Sequence, residues 1–222
     1  GFSEPNLTMG FTRSEHLVIG YELSFLKDYH LKLEAYYQYI DHAPVESQVS
    51  SFSMLNAGAD FAAPNNYNLV NKGVGQNYGL ELTMEKFFTK GFYFMVTGSL
   101  FQSTYKGSDG VWRNTAFNGL FVANALAGYE YRFGGKKDKT KRNGIGVDTK
   151  ITGAGGRYYT PLNVTASSIA REQILLDNEA FTKKYPDYFR MDLKISYHIS
   201  MKRVTQEFSV DFQNIFNIKN VF

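Results

Sequence analysis

The chain has 222 residues, a formal net charge of +3, no cysteine and an aromatic content of 16%. So small a charge argues against a nucleic-acid binder, and the lack of cysteine argues against a disulfide scaffold or a Cys-ligated zinc site. No stretch approaches ~18 consecutive apolar residues, so the sequence predicts no transmembrane helix. The aromatic content instead favours β-structure and membrane interfaces.

The first half of the chain predicts four long strands. They are runs in which apolar and polar residues alternate, at 16–25, 31–40 and 78–88, and a less cleanly patterned run at 92–105. A period of two is the pattern of a strand with one apolar and one polar face. Tight turns at 27–28 and 89–91 join these runs into two hairpins. The opening segment, 1–14, shows no clear period.

The second half predicts four further strands, at 117–133, 145–152, 189–199 and 204–217. The last two alternate most cleanly, and only 200–203 separates them, so they form a third hairpin. We expect a short helix within 168–181.

The hairpin 189–217 defines two faces. One face of its first strand carries Phe189, Met191, Leu193, Ile195, Tyr197 and Ile199, and the other carries Arg190, Asp192, Lys194, Ser196 and His198. In an outer-membrane barrel the polar set lines the lumen, whereas in a soluble sandwich it meets water. A membrane-crossing strand needs about 9–11 residues, against the ~5–6 usual in soluble proteins, and both strands of this hairpin reach the greater length.

The connections between the predicted strands alternate in length. The short ones are 27–28, 89–91, 134–144 and 200–203, and the long ones are 42–76, 106–116 and 153–187. Short turns on one side and long loops on the other are typical of outer-membrane barrels. We therefore predict an all-β fold, an antiparallel transmembrane β-barrel segment of about eight long strands.

Several short motifs, spread over most of the chain, resemble the late barrel of TonB-dependent outer-membrane receptors. They are NYGLEL at 77–82, YKG at 105–107, NTAFN at 114–118, GGRYYTP at 155–161, YFRMDL at 188–193 and DFQNIFN at 211–217. The last is similar to the family's penultimate strand. The resemblance implies a larger barrel of about 22 strands with an N-terminal plug inside it.

What the resemblance implies about function is energy-coupled uptake of a scarce, bulky ligand of the siderophore, cobalamin, glycan or peptide class. It assigns 1–222 to the C-terminal portion of the barrel, in the cell outer membrane of a Gram-negative organism. The chain starts at Gly1 without Met or signal peptide, ends at Phe222, and carries no plug, TonB box or last strand, so we expect a fragment of a longer protein.

The partners that the resemblance implies are outer-membrane lipid, the plug domain and the TonB complex. The TonB complex would be reached through an N-terminal region outside this chain, and a surface lipoprotein is a further candidate partner. No nucleic acid is expected. Two other functions stay open, a passive porin or adhesin barrel without energy coupling, and a soluble secreted β-sandwich.

The sequence predicts no catalytic residue, no metal site and no cofactor. The four histidines, His16, His30, His42 and His198, are scattered without a metal-binding spacing. The segment 73–79 resembles a dinucleotide-binding fingerprint, but its third glycine falls one position late and a strand follows where a helix is needed. We expect a glycine hinge leading into a strand there.

Three of the following loop features keep two interpretations each, and the remaining one, Asp109, has a single interpretation. The segment Gly153-Ala154-Gly155-Gly156 suits a strand rim more than an anion cradle. The basic run 136–142 is either a solvated turn or a contact for anionic headgroups, and Asp109 is first a turn residue. Aromatic loop residues suit either stacking on a flat or sugar-like ligand or packing of the loops, and they are Phe52, Phe61, Tyr67, Tyr158 and Tyr159.

Overall fold

The computed structural model describes residue 6 and residues 9–57, 68–134, 143–201 and 203–220. Its strands are β1 Arg13–Phe25, β2 Tyr29–Glu46, β3 Leu69–Thr89, β4 Phe92–Lys106, β5 Trp112–Asn114, β6 Phe121–Phe133, β7 Asn143–Ala154, β8 Tyr158–Tyr159, β9 Lys183–Lys184, β10 Tyr188–Ser200 and β11 Thr205–Phe212. The long strands form one antiparallel sheet in the order β1-β2-β3-β4-β6-β7-β10-β11, with β5 added to β4. The predicted all-β antiparallel architecture is confirmed.

The two predicted tight turns are present and have the backbone that a two-strand hairpin requires. Leu26 and Lys27 have φ of 49° and 62°, and Lys90 and Gly91 have φ of 54° and 84°. Consecutive residues with positive φ match the right-handed twist of the strands that they join.

Long strands that are neighbours in the sheet also follow each other in sequence, so long and short connections lie at opposite ends of the sheet. We call these the loop end and the turn end.

The strands β2 and β3 are longer than predicted, which shortens the connection expected at 42–76. Their pairing continues, across a bulge between Ile40 and Ala43, to the pair Glu46 and Leu69. The glycine segment 73–79 consequently lies inside β3, and the expected hinge leading into a strand is wrong. A side chain would not fit at position 73, because its Cβ would lie 2.6 Å from Val45 Cγ1.

Three other boundaries differ from the prediction. The strand β6 begins at Phe121 instead of 117, and the predicted loop 106–116 contains the short strand β5. The strand β11 ends at Phe212, well before 217, because Asn214 turns the chain with φ of 50° and its N–H donates to Asp192 Oδ1 at 2.8 Å. Most of the basic connection 134–144 lies outside the described residues.

The long connection 153–187 contains one short helix, α1 Val164–Ala170, which overlaps only the start of the predicted segment 168–181. The side chain of Asn163 caps it by accepting a hydrogen bond from the N–H of Ala166. A single-turn 3-10 segment, Asp177–Glu179, follows it. Among the described residues, no helix has the length and apolar character that a membrane span requires.

The small buried core lies at the loop end, on the polar side of the sheet. It includes Ala43, Val45, Tyr105 and Ala180, together with the polar residues Ser51, Ser53, Thr115 and Asn118. The apolar side of the sheet is largely uncovered, with Leu80 and Leu100 60% and 63% exposed. The described strands form an open sheet whose end strands are β1 and β11.

Candidate functional site

The sheet has one continuous apolar face. Residues directly opposite each other on neighbouring strands share a face, and we call such a line of residues a row. One row contains Leu33, Leu82, Gly98, Ala123, Gly153 and Phe189, from β2 across to β10. Each of these residues belongs to the apolar set of its own strand, so the alternations of six strands are in phase.

Two belts of aromatic residues border this apolar face. The turn-end belt consists of Phe25, Tyr29, Phe92, Phe94, Tyr129, Tyr131, Phe133, Tyr197 and Phe208. The loop-end belt consists of Tyr37, Tyr39, Tyr78, Phe121 and Phe189. Neighbouring rings of the turn-end belt contact each other, for example Phe25 with Tyr29 at 5.3 Å and Phe133 with Tyr197 at 6.3 Å between ring centroids.

The two belts keep a constant separation across the sheet. In β2 the apolar band runs from Tyr37 to Tyr29, and in β10 it runs from Phe189 to Tyr197, the same number of residues. At ~3.3 Å per residue the band is about 26 Å long measured along a strand. That is close to the ~25 Å apolar band of outer-membrane barrels.

From β2 to β10, both belts are displaced along the strand direction by the same number of residues. The row of Phe189 meets β2 at Leu33, four residues from Tyr37. In β10, Tyr197 likewise lies four residues beyond Leu193, which shares a row with Tyr29. A shift of ~13 Å over strand spacings that total ~24 Å corresponds to strands tilted by about 30° from the normal of the band. Strands of membrane barrels are likewise tilted, by ~35–45°.

Charged residues are absent from the apolar face between the belts in every strand that the structure describes. Charges on this face begin at the belts themselves. Glu15 lies opposite Tyr39, and Lys86 lies opposite Tyr29. The Nζ of Lys86 lies 5.8 Å and 5.6 Å from the ring centroids of Tyr29 and Phe92 and donates to the carbonyl of Phe92 at 3.1 Å.

The polar face is held together by ion pairs and hydrogen bonds. Arg190 pairs with Asp192, and Lys194 Nζ lies 2.8 Å from Glu207 Oε1 on the next strand. Arg190, Asp192, Lys194 and His198 thus share one face, as the sequence predicted. This wall is polar and largely self-neutralising, which suits the lining of an aqueous lumen.

One polar-face contact crosses three strands. Tyr93 of β4 donates its hydroxyl to Asp148 Oδ1 of β7 at 2.6 Å, passing over Gly128 of β6. A Cβ on Gly128 would overlap both the Tyr93 ring and the Asp148 carboxylate. The glycine at this position therefore leaves the space that the hydrogen bond between Tyr93 and Asp148 requires.

The histidines occupy separate places, as expected from their spacing. His30 lies between two carboxylates, with Nε2 2.8 Å from Glu22 and Nδ1 3.0 Å from Glu85. His42 contacts Asp41, and His16 lies edge-on to Tyr36 at 6.2 Å. Among the described residues, no group of three or more His, Asp or Glu side chains is arranged to hold a metal ion.

Among the described residues, His198 and Ser196 form a pair that resembles a nucleophile and its base. The hydroxyl of Ser196 lies 3.2 Å from His198 Nε2. Ser196, however, is only 3% exposed. A substrate has no access to its hydroxyl, and this pair is interpreted as a structural hydrogen bond.

The long loops fold inward over the polar face and form a loop cluster, composed of 47–57, 107–120 and 155–187. Tyr105, which is 0% exposed, is at its centre. Its hydroxyl donates to the Ser51 carbonyl at 2.9 Å, and its ring lies edge-on to Phe181 at 5.9 Å. Ser51 in turn hydrogen-bonds to Asp177, so one strand residue connects two loops.

The turn at Asp109 is fixed by an ion pair with Arg113 at 2.7 Å, and both side chains are mostly buried. Burial raises the pKa of Asp109, but hydrogen bonds from the Arg113 side chain and the Val111 N–H outweigh it, so the pKa lies below its ordinary value of 3.8. Asp109 is the turn residue that the sequence predicted.

Lowering the pH is expected to release this turn. A carboxyl whose pKa is lowered by folding stabilises the fold above its ordinary pKa, and loses that contribution as the pH falls through the lower, folded value. We expect amide exchange at Val111, corrected for its intrinsic pH dependence, to accelerate below about pH 4. Asp109→Asn should exchange faster at neutral pH and show no acid transition. An unchanged transition in Asp109→Asn would assign it to another group.

The side chain of Asn118 supplies a hydrogen-bond acceptor at the edge of the sheet, where β4 has no neighbouring strand on the side away from β3. Between the parts of β4 that pair with β5 and β6, the backbone N–H of Ser103 donates to Asn118 Oδ1 at 3.1 Å. Asn118 Nδ2 donates to Asn114 Oδ1 at 2.9 Å, and Asn118 is 0% exposed. The side chain thus satisfies a backbone group that the β-ladder leaves unpaired.

Asn118→Ala is expected to destabilise the loop cluster by about 1–3 kcal/mol, because it leaves the part-buried Ser103 N–H without its acceptor. Hydrogen exchange at Ser103 should accelerate accordingly. Asn124→Ala is the matched control, since within the described part of the chain the Asn124 side chain bonds to the side chains of Thr97 and Thr152 and to no backbone group. Equal acceleration at Ser103 in both variants would contradict this role.

The candidate ligand-stacking aromatics are only partly located. Phe61 and Tyr67 lie outside the described residues, and Phe52 and Tyr158 are half-buried in the loop cluster. Tyr159 stacks on Tyr185 at 4.4 Å, so its ring packs loop against loop. The sequence did not identify Tyr105, Asn118 or Phe181 as the centre of the cluster, because none belongs to an alternating run that distinguishes it from its neighbours.

Searches against protein-family models, curated proteins and solved structures found no match to this chain.

Proposed function

We propose that this chain forms part of the β-barrel of a TonB-dependent outer-membrane receptor, which takes up a bulky, scarce ligand. The observation that carries the membrane part of the proposal is the apolar band, which has constant width, no charge and an aromatic belt on each side. In a soluble sandwich a second sheet would cover this face. An uncovered apolar band of this width matches the hydrocarbon core of a lipid bilayer.

The polar face and the loop cluster favour a gated receptor over an open pore. The polar wall would line the lumen, and the inward-folded loops lie over its mouth at the loop end. In this proposal the loop end is extracellular and the turn end is periplasmic. The open edges at β1 and β11 require further strands to complete the barrel, because unpaired backbone groups are not tolerated in lipid.

Energy coupling and the class of ligand rest on the resemblance of the short motifs to this family. The proposed protein performs no covalent chemistry. It captures ligand with the loops, guides it along the lumen, and is gated by a plug domain that the TonB complex moves. The surface lipoprotein stays a candidate partner.

The test is made on the full-length protein in the membranes of its source cell. We expect it in the outer membrane, released only by detergent, as a polypeptide of about 80 kDa or more with heat-sensitive gel mobility. We also expect it to bind the purified periplasmic domain of TonB. A barrel that does not bind TonB would indicate the passive porin or adhesin, and release without detergent would contradict membrane insertion.

A further inference from the structure

The polar face of the sheet contains a strip without charge on the strands β4 and β6. We call it the uncharged strip, and its side chains are Tyr93, Met95, Thr97, Ser99, Phe101, Val122, Asn124, Leu126 and Gly128. Charges resume on the strands to either side of it. Those nearest to the strip belong to Glu81 and Glu85 on β3 and to Asp148 and Lys150 on β7. The wall therefore has an uncharged path between two charged flanks.

The uncharged strip connects the loop cluster with the turn end of the sheet. Phe101 lies against the loop cluster, because a Cβ on Gly119 would be 3.6 Å from Phe101 Cζ. At the other end, the ring of Tyr93 contacts that of Phe88, with 6.2 Å between the centroids. At ~3.3 Å per residue, the path from Phe101 to Tyr93 is about 26 Å long. A ligand released by the loops thus meets the strip along the whole wall.

The centre of the strip is a hollow of about 160 Å³ that short polar side chains line, with Glu81 at its edge. Thr83, Thr97 and Asn124 form one row across it. The Asn124 amide donates to the Thr97 hydroxyl at 3.5 Å. Among the described residues, the hydroxyls of Thr83 and Ser99 have no hydrogen-bond partner. Because a hydroxyl donates one hydrogen bond and accepts two, this row can bond to a molecule in the lumen.

Apolar side chains border the hollow on the same face. Val122 and Met95 are 39% and 37% exposed, although they belong to the polar side of the sheet. Nearer the turn end, Met95, Leu126 and Phe88 line a second hollow of about 370 Å³. Exposed apolar groups beside hydroxyls with free bonding capacity suit a ligand that presents both kinds of surface.

We infer that the uncharged strip is the path of a neutral oligosaccharide, an inference that names the ligand class of the proposed receptor and rests on the proposed function. A sugar ring has hydroxyl groups at its edge and C–H groups on its faces. The hydroxyl groups can bond to Thr83, Ser99 and the Glu81 carboxylate. The C–H groups can contact Val122 and Met95.

Charged ligands fit this path less well. An ion that enters the strip gives up hydration, and the strip itself offers no group of opposite charge to compensate for that loss. An anionic iron chelate and a peptide with charged termini both meet this cost. A neutral sugar does not, because hydroxyl groups of the wall replace the hydrogen bonds that it made with water.

The experiment measures uptake by source cells that carry the full-length protein as their only copy. The probes bear one uncharged fluorophore each. They are neutral hexasaccharides of glucose, xylose and mannose, and three charged oligomers of the same length, made of galacturonate, glucosamine and amino acids. Capture by the loops is measured on de-energised cells, and accumulation is measured on energised cells.

Two variants locate the path. The test variant removes three hydroxyls at the central hollow with little change of size, by Thr83→Val, Thr97→Val and Ser99→Ala. The matched control removes three exposed hydroxyls from the polar face outside the strip, by Ser24→Ala, Thr205→Val and Ser209→Ala. Heat-modifiable mobility in the outer membrane verifies that each variant is assembled.

We expect energised cells to accumulate at least one neutral hexasaccharide and none of the charged probes. The test variant should lose about tenfold or more of this accumulation, because the sugar loses several hydrogen bonds along the path. Its capture on de-energised cells should be unchanged, and the control should behave as the wild type.

Three results overturn the inference and leave the proposed function intact while the protein still binds TonB. They are equal accumulation of a charged probe, no energy-dependent accumulation of any neutral probe, and equal loss in both variants. Loss of heat-modifiable mobility in the test variant alone also overturns it, since the hydroxyls would then hold the wall together. A wild-type protein that is absent from the outer membrane overturns the proposed function as well.

Discussion

Leu193→Arg is expected to prevent assembly of the protein in the outer membrane. Leu193 lies on the apolar face of β10, midway between Phe189 and Tyr197, which belong to the two aromatic belts. An arginine at the centre of the apolar band costs about 2–4 kcal/mol. The neighbours in its row, Thr149 and Phe212, offer no carboxylate to pair with it.

The polar face provides the controls for this substitution. Lys194→Ser should assemble normally, because it removes one partly exposed ion pair with Glu207, which is worth ~0–1 kcal/mol. Ser209→Arg places the same new cation on the polar face of β11, with Glu207 and Asp211 on either side. The measurement is the fraction of heat-modifiable protein in the outer membrane. Normal assembly of Leu193→Arg, or loss of assembly in either control, contradicts the assignment of the faces.

The strands and hairpins of the sheet were predictable because the sequence patterns that specify them are local and periodic. The alternation in 189–199 assigns each side chain to a face without any knowledge of partners, and turn residues such as Lys90 and Gly91 locate the hairpins. The register was not predictable from single strands. The register becomes visible only when residues in the same row are compared across strands. The constant width of the apolar band and the shift of the aromatic belts depend on that register.

The loop cluster was the part least accessible to sequence reasoning. Its contacts join residues that are far apart in the chain, such as Tyr105 with Ser51 and Ser51 with Asp177. Strand ends were misjudged for a related reason. Gly73 and Gly75 are typical of loops, yet they lie inside β3 because Val45 and Leu55 fill the space that their side chains would need. Tertiary packing decides such positions, and local composition does not reveal it.

Gly155→Val is expected to release the loop cluster while the sheet stays folded. A Cβ on Gly155 would overlap the carbonyl oxygen of Gly119, and one on Gly156 would overlap that of Tyr185. The segment is held from both sides, since the Gly155 N–H donates to Phe121 O at 2.9 Å and the Gly156 N–H donates to Asp187 Oδ1 at 2.9 Å. The backbones of 117–121 and 185–187 therefore leave no room for a side chain.

Asp187 itself shows how firmly this segment is fixed. The hydrogen bonds from Lys184 and from the Gly156 N–H hold the pKa of its carboxyl below the ordinary value. Tyr185, two residues earlier, donates its N–H to the Arg157 carbonyl at 3.0 Å and stacks on Tyr159. Displacing Gly155 disturbs all of these contacts together, because they belong to one short stretch of chain.

Overpacking of this kind costs about 1–3 kcal/mol, and limited proteolysis of the loops in reconstituted protein should accelerate about 5- to 150-fold. Heat-modifiable mobility should remain, because the strand pairing does not depend on the cluster. Gly98→Val is the matched control, since no atom lies within 4 Å of its Cβ position on the apolar face. Protease resistance in Gly155→Val equal to that of Gly98→Val would show that the 117–121 backbone can yield. Loss of heat-modifiable gel mobility in Gly155→Val would show that the loop cluster and the sheet are one cooperative unit. The loops could then not open independently to admit a ligand.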